Sequence, residues 1–151
     1  MTSLFAMRGA HVTMVEKGST AEAAAETARW GVSDRVHLIQ TRGDLKEIAS
    51  RTFDIIFTKS VLWSIGNLGA FLDSLEPLLA EGGKVAFVEN YRGGKAMFWL
   101  RRNVIHRGQF EWGRRYFGIT PTQLPLFSER FADVYVRRKR LFVYEIFGRK
   151  R

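Results

Sequence analysis

Apolar runs bounded by turn residues alternate with helix-like stretches over the first ninety positions of this chain. Residues 1–9 read as the tail of a helix entering a turn, and 11–15 as a short strand closing on Glu16. Residues 19–30 are rich in Ala and Glu. Ser19 or Thr20 can cap that stretch, Glu22 sits in its first turn, and Gly31 follows it, so a helix is predicted. Residues 36–40 form the next strand, 45–50 a short helix, and 53–57 (Phe-Asp-Ile-Ile-Phe) a nearly continuous apolar strand. The spacing of Phe71, Leu72, Leu75, Leu78 and Leu79 predicts a helix over 68–80, ended by Gly82-Gly83, with Pro77 forcing a kink or a fresh start. Residues 85–88 are the most apolar strand of all. Strands that are apolar throughout, separated by helices, predict a parallel sheet covered on both faces.

The C-terminal part follows another rule. Thr120-Pro121-Thr122-Gln123 has the form of a capping box with proline at the first helical position, predicting a helix to about Arg130 that Pro125 weakens. Residues 131–136 and 141–147 read as an antiparallel hairpin turning through Arg137-Arg138-Lys139-Arg140. Residues 92–118 show no clean period and read as a helix, a lid or both.

With 151 residues, 46% of them hydrophobic, the chain is long enough for one domain with a real core and short for two. The expected organisation is a single domain made of 1–91, an insert at 92–118, and a helix with closing hairpin at 119–151. Cysteine is absent, which removes disulfides, thiolate zinc sites and cysteine nucleophiles. His11, His37 and His106 lack metal-ligand spacing, so no metal is expected. Without a long apolar run or a secretory pattern, a cytoplasmic location is the default expectation. The net charge of +9 is unevenly spread. Residues 1–91 carry nine Lys and Arg against eleven Asp and Glu, whereas 92–151 carry fifteen against four.

In an open parallel sheet, ligands bind beyond the carboxyl ends of the strands. Glu16 stands there after the first visible strand, where a carboxylate can accept from both hydroxyls of a ribose; a solvated charge is the plainer alternative. Asp44 follows the second strand, where it can accept from an adenine amine or simply cap a helix beginning at Leu45. Residues 53–63 place Thr58, Lys59 and Ser60 over the sheet edge and Trp63 just beyond, with Lys59 expected to face water.

The stretches GAHVTMVEKG, RVHLIQTRGDL, FDIIFTKSVLWSI, LEPLLAEGGKVAFVE, FADVYVRR and FVYEIFGRK occur in an order and spacing that resemble the class I S-adenosylmethionine-dependent methyltransferases over nearly the whole chain. The resemblance implies a Rossmann-like α/β fold: a mostly parallel sheet with helices on both faces and a C-terminal antiparallel hairpin. It implies S-adenosyl-L-methionine as cofactor, with Glu16 at the ribose, Asp44 at the adenine, Thr58, Lys59, Ser60 and Trp63 at the methionine end, and Lys17 and Leu45 as further cofactor-binding residues. Glu81 replaces the proline that usually precedes the glycine pair. At the front, the family's first and central strand and its glycine-rich loop have no counterpart. The strands at 11–15 and 53–57 are then expected either to face a gap or to pair with each other, and an upstream fragment supplying the missing strand is an expected partner.

Residues 92–117 interleave aromatic and aliphatic side chains with seven Lys and Arg where such enzymes insert a segment over the acceptor. The candidates on that side are Glu89, Asn90, Tyr91, Trp99, Arg102, His106 and Tyr116, with no catalytic base singled out. A small-molecule or lipid-like acceptor with an acidic group suits the mixture, and so does docking to an anionic membrane surface. The plainer reading is core aromatics with a solvated basic rim. The competing function is a non-catalytic basic module for nucleic acid or anionic membrane; no nucleic-acid motif is recognisable, which disfavours nucleic acid. A nicotinamide dehydrogenase would share the acidic residue after a strand, but the closing hairpin and its long preceding insert favour the methyltransferase.

Overall fold

A computed structural model describes residues 1–41, 45–90, 99, 103–104, 118–139 and 143–151. The chain divides into two compact units, Met1–Ser50 and Arg51–Arg151.

In the first unit, α1 (Thr2–Met7) leads into β1 (Val12–Glu16), α2 (Ala21–Arg29) and β2 (Val36–Gln40). β1 and β2 pair in parallel, from Val12 opposite Val36 to Glu16 opposite Gln40. At the start of α2 Thr20 is the N-cap and makes no side-chain capping bond, while the Ser19 hydroxyl one residue earlier accepts the Ala21 N–H at 3.2 Å; at its end Gly31 takes φ +64, which glycine adopts without a Cβ penalty. Ala6 and Val32 are buried, and the Ser3 hydroxyl donates to Glu26 at 3.1 Å, tying α1 to α2. The short helix expected at 45–50 is a single 3-10 turn, Lys46–Ile48.

The second unit holds β3 (Phe53–Lys59), α3 (Leu68–Leu75), β4 (Leu79–Asn90), α4 (Pro125–Arg130), β5 (Ala132–Lys139) and β6 (Val143–Arg149). Its sheet runs β3-β4-β6-β5, with β3 parallel to β4 and the other two pairings antiparallel. Asn67 caps α3, its side-chain oxygen accepting the Ala70 N–H at 3.0 Å. The core forms where α3 and α4 cover β4. Phe87 meets Phe127 edge-on at 5.3 Å and Phe131 at 6.2 Å, beside buried Leu72, Leu79 and Ile146. Arg130 of α4 ties to Asp73 of α3 through Nε at 2.6 Å and Nη2 at 3.3 Å.

Three local expectations are corrected. The helix at 68 does not run to residue 80: α3 stops at Leu75 and a 3-10 turn, Glu76–Leu78, restarts the chain around Pro77. The Gly82-Gly83 pair therefore ends no helix. It lies within β4, where the register against β3 shifts between Phe53 and Ile55. Gly82 has φ +69, and a Cβ on Gly83 would stand 2.8 Å from the Ala80 carbonyl oxygen, so the irregularity requires glycine at both places. Lastly, Arg137, Arg138 and Lys139 are strand and not turn, paired opposite Glu145, Tyr144 and Val143. Arg137 and Lys139 both bond the Glu145 carboxylate, which carries the strand past the point where charge alone predicts a turn. The single helix expected from Thr120 to Arg130 is instead split at Leu124 into a 3-10 turn, Pro121–Gln123, and α4, which Pro125 opens.

Direct pairing of the strands at 12 and 53 is the alternative that does not occur. Among the described residues β1 pairs only with β2 and β3 only with β4. Ile55 on β3 is 57% exposed, an unusual state for a residue in so apolar a strand. No helix among the described residues is long and apolar enough to cross a membrane.

Candidate functional site

The turn leaving β3 is held by a buried carboxylate from the neighbouring strand. Glu89, near the carboxyl end of β4, is 1% exposed; its Oε1 accepts the Val61 N–H at 2.8 Å and the Thr58 hydroxyl at 3.3 Å. Its Oε2 is buried with no hydrogen-bond partner among the described residues. Burial raises the Glu89 carboxyl pKa above its ordinary value, against the lowering effect of the backbone N–H groups of the turn and of Thr58. The same turn carries backbone strain: Ser60 sits at φ 55, the left-handed region that side chains other than those of glycine and asparagine rarely enter. The Ser60 N–H donates to the Val88 carbonyl at 2.9 Å, and the Asn90 amide donates to the Ser60 hydroxyl at 3.4 Å. Trp63 closes the arrangement, its indole N–H donating to the Ser60 carbonyl at 2.6 Å.

Beyond this turn opens a cavity of about 380 Å³. One side is apolar, made by Leu62, Trp63, Ile65, Leu68 and Ile119. Gly118, Thr120, Thr122 and Gln123 complete it. The wall at 118–123 is fixed to the sheet because the Ile119 N–H donates to the Asn90 carbonyl at 2.9 Å. The cavity thus opens at the carboxyl ends of β3 and β4, the place an open parallel sheet offers a ligand.

The residues singled out from sequence divide into four groups. Thr58, Ser60, Trp63, Glu89 and Asn90 come together at this turn, but Thr58 and Glu89 are buried and bonded to each other, so they shape the site from behind. Lys59 is exposed and Trp99 is 61% exposed. In the first unit, half-buried Glu16 ends β1, with its Oε1 accepting the N–H of exposed Lys17 at 3.2 Å, and half-buried Leu45 precedes the 3-10 turn. Asp44, Tyr91, Arg102, His106 and Tyr116 lie outside the described residues. Sequence reasoning missed Leu62, Ile65, Leu68, Ile119 and Gln123 as cavity walls. The capping box at Thr120 was visible, but nothing local reports its proximity to Trp63. Among the described residues no group of three His, Asp or Glu is placed to hold a metal.

No protein-family model and no curated protein matches the sequence. Solved structures do match. The N-methyltransferase NodS from Bradyrhizobium japonicum WM9, in complex with S-adenosylhomocysteine, is similar at TM-score 0.57 and 16% identity over 91% of this chain and 65% of that one. An O-methyltransferase family protein from Burkholderia thailandensis gives TM-score 0.67 and 12% identity over 91% of this chain and 43% of that one. A SAM-dependent methyltransferase from Methanosarcina mazei gives 0.63 and 18% over 97% and 85%. The chain thus spans just under two thirds of NodS and less than half of the Burkholderia protein. At these identities the likeness establishes the fold: this is the fold of the class I S-adenosylmethionine-dependent methyltransferases.

Proposed function

We propose that the chain acts in S-adenosylmethionine-dependent methyl transfer to a small-molecule or lipid-like acceptor. The observation that carries this reading is the strained, carboxylate-held turn bordering a cavity at the carboxyl ends of β3 and β4, in a chain of methyltransferase fold. Strain of this kind persists where surrounding bonds over-determine it, and it clusters at binding sites.

Glu16 fits a role in holding the cofactor. Its carboxylate ends β1 half-buried, with Oε1 bonded to the Lys17 N–H and Oε2 with no partner among the described residues, so it has acceptors left for a ribose diol. S-adenosylmethionine would supply the methyl carbon; the chain's part is to exclude water and fix orientation, which by itself can lower a barrier substantially.

The open edge of β3 belongs to the same reading. An additional strand, from an upstream segment or a partner, could lie along this edge of the sheet, where Ile55 is exposed. The alternative, a basic module for anionic surfaces, has less to rest on. Arg137 and Lys139 are paired to Glu145, and Arg149 lies 2.8 Å from Asp133, so three cations of the hairpin are already engaged.

Calorimetric titration with S-adenosylhomocysteine tests the proposal, on this chain and on one extended upstream. Binding by the extended chain, abolished by Glu16→Ala, is expected. An extended chain that folds and does not bind would overturn it.

A further inference from the structure

We infer that the open face of the β3-β4-β6-β5 sheet is a docking platform for single-stranded nucleic acid, with bases stacking on Tyr135 and Phe147 and phosphates held by the lysines and arginines on either side. The platform shares no residue with the cavity beside Trp63, and the inference does not rest on the methyl-transfer reading.

Side chains alternate between the two faces of a strand, and residues in register across strands share a face. Val85, Phe87 and Ile146 point into the core, where each is at most 1% exposed. The residues between them therefore line the other face. One row across it sets Ala86 opposite Phe147, and Phe147 opposite Tyr135. Tyr135 is 58% and Phe147 39% exposed, and their rings stack at 6.5 Å with planes 24° apart. A row of cations lies two residues away on each side: Lys84 opposite Arg149 in one direction, Lys59 and Arg137 in the other, all of them exposed.

Charge selects the occupant. Arg137 and Lys139 share the single Glu145 carboxylate and Arg149 is matched by Asp133, while Lys59 and Lys84 make no ion pair among the described residues. Five cations thus stand against two carboxylates around the aromatic row, and the partner must be an anion. A second copy of this chain would bring the same excess of positive charge. An anionic membrane asks for apolar groups that reach past the cations, whereas here both rise from one pleated surface. A single strand of nucleic acid supplies both halves: phosphates for the cations, and bases whose flat faces stack on aromatic rings whatever their sequence. No sequence motif announces such a surface, because only the sheet brings positions 84, 135 and 147 together.

Fluorescence anisotropy of a labelled oligothymidylate of about 15 nucleotides, titrated with the whole chain, tests this. Saturable binding is expected, and an abasic strand of the same length, which offers phosphates without bases, should bind about tenfold more weakly. Tyr135→Leu keeps apolar bulk on the strand and removes the ring. Its affinity should fall about tenfold, while Tyr135→Phe matches the parent. Lys84→Gln, at an exposed side chain with no ion pair to lose, should leave the thermal melt unchanged and flatten the slope of log affinity against log salt by about 0.7. Absence of saturable binding, equal affinity for the abasic strand, an unaffected Tyr135→Leu or an unchanged salt slope in Lys84→Gln would overturn the inference. So would displacement by polyglutamate or by phosphatidylserine vesicles as effective as that by unlabelled oligothymidylate, which would make the face a site for an acidic protein or a membrane. None of these outcomes depends on S-adenosylhomocysteine, so a failure of the platform and a failure of the methyl-transfer reading are separately visible.

Discussion

The Glu89 carboxylate accepts the Val61 backbone N–H at 2.8 Å, joining positions 28 residues apart and fixing the turn that leaves β3. With Ser60 at φ 55 and Trp63 bonded back onto Ser60, one acidic side chain governs how the wall of the cavity is presented.

Glu89→Ala should leave the Val61 N–H and the Thr58 hydroxyl without their acceptor in a buried place. A loss of about 1–3 kcal/mol is expected from urea denaturation. Glu89→Gln keeps one acceptor oxygen and should lose less than half as much. Equal losses for both variants would show that the bond to Val61 contributes nothing.

Glu89 and Glu145 should respond to pH in opposite directions. Burial raises the folded-state pKa of Glu89 above its ordinary 4.5, so its contribution is fully present below that value and is lost as pH rises through the raised one. The hydrogen bond from Arg137, then that from Lys139, lowers the pKa of Glu145; its contribution is present above the ordinary carboxyl range and is lost as pH falls through the lowered value. Denaturation at about pH 4 and about pH 8 checks both. On acidification the parent should gain stability relative to Glu89→Gln and lose it relative to Glu145→Gln.

Gly83→Ala should cost about 1–3 kcal/mol, the usual consequence of forcing atoms into occupied space. The added Cβ would meet the Ala80 carbonyl oxygen at 2.8 Å and the Phe53 carbonyl oxygen at 3.1 Å, backbone atoms that cannot swing aside. A thermal melt indistinguishable from the parent's would contradict the close approach.

Phe127→Ala should be the most damaging of these substitutions, about 3–5 kcal/mol. The ring is fully buried and packs edge-on against Phe87, so its removal leaves a cavity between α4 and β4. Chemical denaturation with an unchanged slope would confirm that stability alone is altered.

Features that depend on neighbours in the chain were legible in the sequence. The glycine stop of α2, the Ser19 hydroxyl at its start, the capping box at Thr120 and the parallel apolar strands all follow from local propensity and periodicity. Those signals, in their order, were also enough to reach the fold class. Only tertiary structure decided the rest, because it turns on contacts between residues distant in sequence. Arg137 to Lys139 became strand once Glu145 lay opposite to neutralise them, and Gly82-Gly83 became an irregularity in β4 because β3 runs beside it. Glu89, taken from sequence as a contact for the acceptor, became the buried hold on the turn after β3. The cavity joins residues 62–68 to 118–123, and no pattern of polar and apolar positions records that meeting.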